Sequence, residues 1–184
     1  MEKKWELEAR IRKGNKKLGS LRALLNSKYV SRQAKLKIYK TVIRPTVTYA
    51  DKRWTLNKKE EETLKRWKSK ILRRIFGGRK TEDSWERRTN NELMALYKEP
   101  TITKFVKSQR IRWFGHVERM AANIMPKLVI TRKLIGPKRR GRLRTRWISK
   151  VEEDLKHVKV RDWKRKAQNS SEWRNIVHQV LQSS

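Results

Sequence analysis

Apolar residues recur every three or four positions through most of the chain, and strand-like alternation is nearly absent. That period gathers them on one side of successive helices. Leu7, Ile11, Leu18, Leu21, Leu24 and Leu25 predict a long first helix over Glu2 to Ser27, weakened by Gly14 and Gly19. Ser31 is placed to cap a second helix through Ala34, Ile38, Val42 and Ile43. Pro45 is expected to end or kink it, because proline lacks a backbone donor and crowds the preceding turn. The β-branched and aromatic stretch VIRPTVTYADKRW gives a weaker helical signal. Asn57 and the acidic first turn Glu60 to Glu62 open a third helix, with Leu64, Trp67, Ile71, Leu72 and Ile75 on one face and Gly77-Gly78 as its stop.

A polar span through Ser84 precedes a short helix, Asn90 to Lys98, carrying Leu93, Leu96 and Tyr97 and stopped by Pro100. Thr101 or Thr103 can cap the next helix, which spans Lys104 to Met120 with the sequence KFVKSQRIRWFGHVERM. Its apolar stripe is Phe105, Val106, Trp113, Phe114, Val117 and Met120; Lys104, Lys107, Arg110, Arg112 and Arg119 form a cationic remainder. The connector Pro126 to Trp147 contains Pro126, Gly136, Pro137 and Gly141, so its second half reads as loop, with a short helix or strand open over Lys127 to Leu134. Three further stripes follow: Trp147, Val151, Leu155 and Val158; Trp163 and Ala167; then Trp173, Ile176, Val177, Val180 and Leu181, capped near Ser170 and Ser171. The expectation is an all-α chain with four successive regions: a helical bundle over 1–77, a helical segment over 78–125, a basic linker over 126–146 and a small helical C-terminal unit over 147–184.

Charge changes what this fold is for. With 51 Lys and Arg against 18 Asp and Glu, the 184 residues carry a formal charge of +33, which repels the compact state. Nucleic acid, whether RNA, DNA or an RNA–DNA hybrid, is the expected partner. A membrane is not, since there is no long apolar run or signal-peptide pattern and the basic residues are spread along the chain. At 36% hydrophobic the cores are modest, and helical phasing assigns most of the eight Trp to them rather than to base stacking.

Catalysis is not expected, nor is a small-molecule substrate or any metal or cofactor. There is no Cys, and the His residues are His116, His157 and His178, so a Cys-based zinc site is excluded. Two-metal polymerase or nuclease chemistry needs converging carboxylates. The Asp residues are Asp51, Asp83, Asp154 and Asp162, and the acidic runs Glu60 to Glu62 and Glu152 to Asp154 lie on predicted helices, where neighbours diverge; dipole and solubility roles fit them better. Gly77-Gly78 lacks the Lys-Ser/Thr of a phosphate-binding loop. His116 reads as a packing or phosphate-contacting residue.

Binding centres on the connector. PKLVITRKLIGPKRRGRLRTRW has nine Lys or Arg and no acid, and it ends in a run where Arg140, Arg142, Arg144 and Arg146 alternate with other residues. An extended backbone there can lay Arg along successive phosphates, with bidentate contacts that Lys does not offer. The predicted contacts are Lys138, Arg139, Arg140, Arg142, Arg144 and Arg146, then Arg110, Arg112 and Arg119. The alternative reading of the run is a solvated linker or nuclear-import signal. Trp113 and Trp147 could stack on bases, although both fit the apolar stripes and the core reading is preferred.

Five motifs in order, LKIYKTVIRPTVTYADKRWTL, LKRWKSKILRRIFG, NNELMALYKEPTI, RIRWFGHVERM and GRLRTRWISKVEEDL, resemble the region downstream of the polymerase palm in reverse transcriptases of non-LTR (LINE-type) retrotransposons. The likeness runs from about Ile11 to Val177. It implies that residues up to about Gly77 correspond to the thumb, which grips the primer–template duplex, and that the rest holds template RNA or target DNA. The endonuclease and the palm with its paired aspartates are not in this sequence, so RNA-directed DNA polymerase activity is carried over to no residue here. Two departures from the family pattern are Tyr49-Ala50-Asp51-Lys52-Arg53-Trp54, where glycine normally follows the tyrosine, and Leu143, where proline is usual; both loosen turns and fit a decayed or co-opted copy. The expectation is a non-catalytic nucleic-acid-binding fragment; the alternatives are a piece of a polymerase active only with its palm, or a retrotransposon remnant without selected function. Nuclear residence is expected, with cytoplasmic residence alongside RNA also open.

Overall fold

Residues 2–49, 51–131 and 146–182 are described by a computed structural model. Among the described residues the chain is all-α apart from one small hairpin. Helix α1 (Glu2–Ser20) and α2 (Arg22–Asn26) are separated only at Leu21. Helix α3 (Arg32–Ile38) opens at Ser31, whose hydroxyl accepts the Ala34 N–H at 3.2 Å. Pro45 neither ends nor sharply breaks the path: a π-helical turn over Tyr39–Ile43 leads directly into α4 (Arg44–Thr48). Widening the turn ahead of the proline makes room for its ring and absorbs the missing donor. A 3-10 turn, Asp51–Arg53, follows.

Helix α5 (Lys58–Phe76) begins with a reciprocal cap, Asn57 Oδ1 accepting from Glu60 N–H at 2.9 Å and Asn57 N–H donating to Glu60 Oε2 at 2.7 Å. Beyond Gly77 the polar span forms an exposed antiparallel hairpin, β1 (Arg79–Lys80) with β2 (Trp85–Glu86), Arg79 opposite Glu86. Helix α6 (Asn90–Tyr97) repeats the reciprocal cap with Thr89 and Glu92. Then come α7 (Ile102–Glu118), α8 (Met125–Thr131), α9 (Trp147–His157), α10 (Trp163–Gln168) and α11 (Ser170–Gln182). Among the described residues, no helix is long and apolar enough to cross a membrane.

These elements form two compact units, Met1–Tyr49 with Leu56–Thr103, and Ala50–Thr55 with Lys104–Ser184. The grouping therefore differs from the fourfold division expected from sequence. In the first unit α6 joins the earlier helices through Tyr97, whose ring meets Tyr39 edge-on at 6.3 Å and lies 3.9 Å beneath the Lys68 ammonium. Leu25, Tyr39, Ile43, Val47, Leu64, Ile71 and Leu72 are fully buried there. Gly14, which costs α1 helix propensity, has a packing reason: a Cβ there would stand 2.5 Å from Val47 Cγ2 and 2.9 Å from Trp67 Cζ2. Trp67 uses that approach to donate its indole N–H to Asn15 Oδ1 at 3.0 Å.

In the second unit, Ile111 and Phe114 of α7 pack with Val151, Leu155, Ala167, Trp173, Ile176, Val177 and Val180. The Phe114 ring is surrounded by Trp163, Trp147 and Trp173, at centroid distances of 5.0, 5.8 and 6.2 Å. Trp173 lies across α7 at Gly115 and donates its indole N–H to the Ile111 carbonyl at 2.9 Å. A Cβ on Gly115 would be 2.0 Å from that nitrogen, so the glycine of RWFGHVERM is fixed by helix approach. Of the eight Trp, Trp54, Trp67 and Trp173 are buried, Trp113, Trp147 and Trp163 half-buried, and Trp5 and Trp85 exposed.

Candidate nucleic-acid interface

Helix α7 and the residue just past its end carry three of the predicted contacts, Arg110, Arg112 and Arg119, and they take three different roles. Arg110 is in the core. It lies four residues after Val106 and four before Phe114, on the buried side, and is 1% exposed. Its guanidinium donates to the Trp54 carbonyl at 2.6 Å and to the Asp154 carboxylate of α9. Arg110 as a phosphate contact is thus corrected: a charge this deep is held only because Asp154, 3% exposed, neutralises it. Lys107 Nζ approaches the same carboxylate at 3.6 Å.

Arg119 faces outward but is partly engaged, with Nη1 donating to the Ala167 carbonyl at the end of α10 at 2.7 Å. The residue as a whole remains exposed. Arg112 is exposed, and with His116 and Arg119 it repeats at three- and four-residue spacing, so the three lie along one side of α7. This is the portion of the predicted set that the described residues bring together.

Arg146 stands immediately before α9, at its N-cap position, and is exposed. It borders a cavity of about 310 Å³ walled by Trp113, Val129, Ile130, Trp147 and Ile148. Trp113 and Trp147 meet edge-on there at 5.2 Å, and Trp147 is fixed by its indole N–H donating to the Lys52 carbonyl at 2.8 Å. Lys150, one turn along α9, is taken by Glu153 at 2.8 Å; that hydrogen bond holds the Glu153 carboxyl below its ordinary range. Lys138, Arg139, Arg140, Arg142 and Arg144 lie outside the described residues, as does the 132–134 stretch of the Lys127–Leu134 segment; Lys127–Thr131 is the helical end of α8.

Over 165 residues the chain is 24% identical to an uncharacterized transposon-derived protein of Caenorhabditis elegans. That similarity supports a transposon-related origin. The match takes in 83% of this chain and 57% of that protein, so the chain spans little more than half the length of its transposon-derived relative. No family model and no solved structure matches.

Two features of the chain are not anticipated by its sequence pattern. Asp154 reads as one of a solubility cluster with Glu152 and Glu153, yet it falls three residues after Val151 and four before Val158, on the apolar stripe of α9. An acid in that position calls for a buried cation. The second is a surface run from the last turn of α9 into α10, where Lys156, Lys159, Arg161, Lys164 and Arg165 are all exposed. Six Lys or Arg stand against one Asp between Lys156 and Lys166, a density comparable to the connector's.

Proposed function

We propose that this chain is a non-catalytic nucleic-acid-binding segment of LINE-type reverse-transcriptase descent, contacting RNA or an RNA–DNA duplex mainly through phosphates. The observation that carries this reading is the charge balance, +33 over 184 residues. It is supported by exposed cations on the second unit, Arg112, Arg146, Lys156, Lys159 and Arg161 among them, which extend the basic character of the connector onto a helical surface. Phosphate oxygens match that surface in sign, and an Arg fork matches them in shape. The five ordered motifs supply the descent, and the transposon-derived relative is consistent with it.

Arg110 does not enter the contact set: its work is to hold α7 to α9 beneath the surface. Backbone-directed binding carries no sequence preference of its own. Competition among single-stranded RNA, an RNA–DNA hybrid and duplex DNA of equal length, at one ionic strength, tests the proposal. RNA or hybrid displacing a labelled RNA at lower concentration than duplex DNA is the expected result. An acidic polypeptide of equal charge competing as well as any of the three would overturn it.

A further inference from the structure

The first unit holds a feature that phosphate binding by the connector and α7 leaves unused. An open groove of about 500 Å³ lies along α1 and the end of α4; its lining includes Trp5, Glu6, Arg10, Lys13, Pro45 and Tyr49, with the Glu6 carboxylate taken up by Arg10. Its size is that of an ordinary small-ligand cleft. Trp5 is 62% exposed and Tyr49 76%, although the same unit buries Tyr39, Trp67 and Tyr97 almost completely. Large aromatics left in water on one groove forgo the burial that the neighbouring core offers, and such surfaces mark interaction sites.

The groove is also held in shape. Arg10 donates to Glu6 Oε1 through Nη2 at 2.8 Å and Nε at 3.3 Å, and its Nη1 donates to the Tyr49 carbonyl. One guanidinium therefore ties Tyr49, the residue that follows α4, back to α1, holding Tyr49 and the Trp5 end of α1 on a common cleft. Lys13, three residues on, stays exposed at the groove, and Arg12, Lys16 and Lys17 are exposed on the same helix. Aromatic faces held in advance beside surplus cations suit a ligand with flat π-faces strung on an anionic backbone.

We propose that this groove takes unpaired bases of single-stranded nucleic acid, stacked on Trp5 and Tyr49, with Lys13 on a flanking phosphate and Arg10 as a positioning residue. The site rests on the nucleic-acid reading for its class of ligand but involves no connector residue. A duplex keeps its base faces stacked inside, so the groove selects single strands or unpaired ends.

The test compares the full chain with a Trp5→Ala/Tyr49→Ala variant and with Lys13→Gln, binding a single-stranded RNA and an abasic strand of identical length and charge. Native protein should prefer the base-bearing strand by at least roughly 5-fold, since base–aromatic stacking sets that scale. The double variant should lose the preference while keeping both the native salt slope and the thermal unfolding profile, both aromatics being largely exposed. Lys13→Gln should weaken both strands alike and reduce the salt slope by about 1. Equal native affinity for the two strands, or a preference that survives the double substitution, overturns this site alone. Binding of neither strand overturns it together with the wider reading. Loss of binding to anionic vesicles in the double variant, with the base preference intact, would make the groove a membrane face and also overturn it.

Discussion

Gly115→Ala is the sharpest test of how the second unit is built. The new methyl carbon would start 2.0 Å from Trp173 Nε1, 2.3 Å from Cδ1 and 2.6 Å from Cε2. Ordinary carbon contact is about 3.5–4.0 Å, so the indole must withdraw by more than about 1 Å. That movement breaks its 2.9 Å bond to the Ile111 carbonyl and shifts the ring against Phe114. Stranding a buried N–H costs about 1–3 kcal/mol and overpacking a further ~1–3, against about 1 kcal/mol regained from alanine's helix propensity. The expected net loss is about 3 kcal/mol, a large share of a domain's stability. Because the chain has two units, a single melting curve is a poor readout; hydrogen exchange of α7 and α11 amides under mild urea follows the unit concerned. In a Trp173→Leu background the same substitution should be neutral, or stabilising by up to about 1 kcal/mol. An equal loss in both backgrounds would refute the steric account.

Asp154→Ala strands the Arg110 charge and should cost the second unit about 3–5 kcal/mol, whereas Arg110→Met with Asp154→Leu should cost far less than the two single changes summed, as a urea-based double-mutant cycle would show. Arg112→Ala should weaken RNA binding and leave unfolding unchanged; Arg110→Ala should do the reverse, lowering stability with no change in the salt slope of the folded fraction. In the first unit, burial pushes Lys68 down to about 8 and Tyr97 up to about 12, and raises Tyr39 as well. From about pH 8 to 10 the unfolded chain keeps a Lys68 proton that the folded chain has released, so stability rises; above about pH 10 the unfolded phenols ionise before the folded ones, and stability falls. The rising limb is worth roughly 2 kcal/mol and should flatten in Lys68→Met while the falling limb stays. A limb unchanged in that variant would mean that general loss of Lys charge is responsible.

Much of the helical order follows from local rules visible in the residues. Ser31 and Asn57 cap where their side chains predict, Gly77 closes α5, and the stripe through Leu64, Trp67, Ile71 and Ile75 is the buried one. What local rules miss is the tertiary partner. Residue type alone places Arg110 on the surface with the cations around it, although its spacing from Val106 and Phe114 puts it inside; only Asp154, 44 residues away, makes that position tenable. Gly14 and Gly115 read as weak points of their helices, since nothing local announces Trp67 or Trp173 lying across them. The π turn before Pro45 and the joining of 50–55 to the second unit likewise depend on packing, not propensity. For the candidate interface, exposure of Arg112 and Arg146 can be anticipated from spacing, whereas Trp5 is invisible as a groove wall because nothing in its neighbourhood of the chain announces Tyr49 beside it.

The central claim is that the charge binds nucleic-acid phosphates at defined places. A salt titration of binding to single-stranded RNA, comparing the native chain with one in which Arg140, Arg142, Arg144 and Arg146 are all alanine, tests it most directly. With about six phosphates contacted, native affinity should fall by roughly 300-fold between roughly 50 and 200 mM salt, and the variant's slope should be shallower by about 3. An unchanged slope in the variant would contradict the account, leaving the +33 charge as a diffuse polycation without a defined interface.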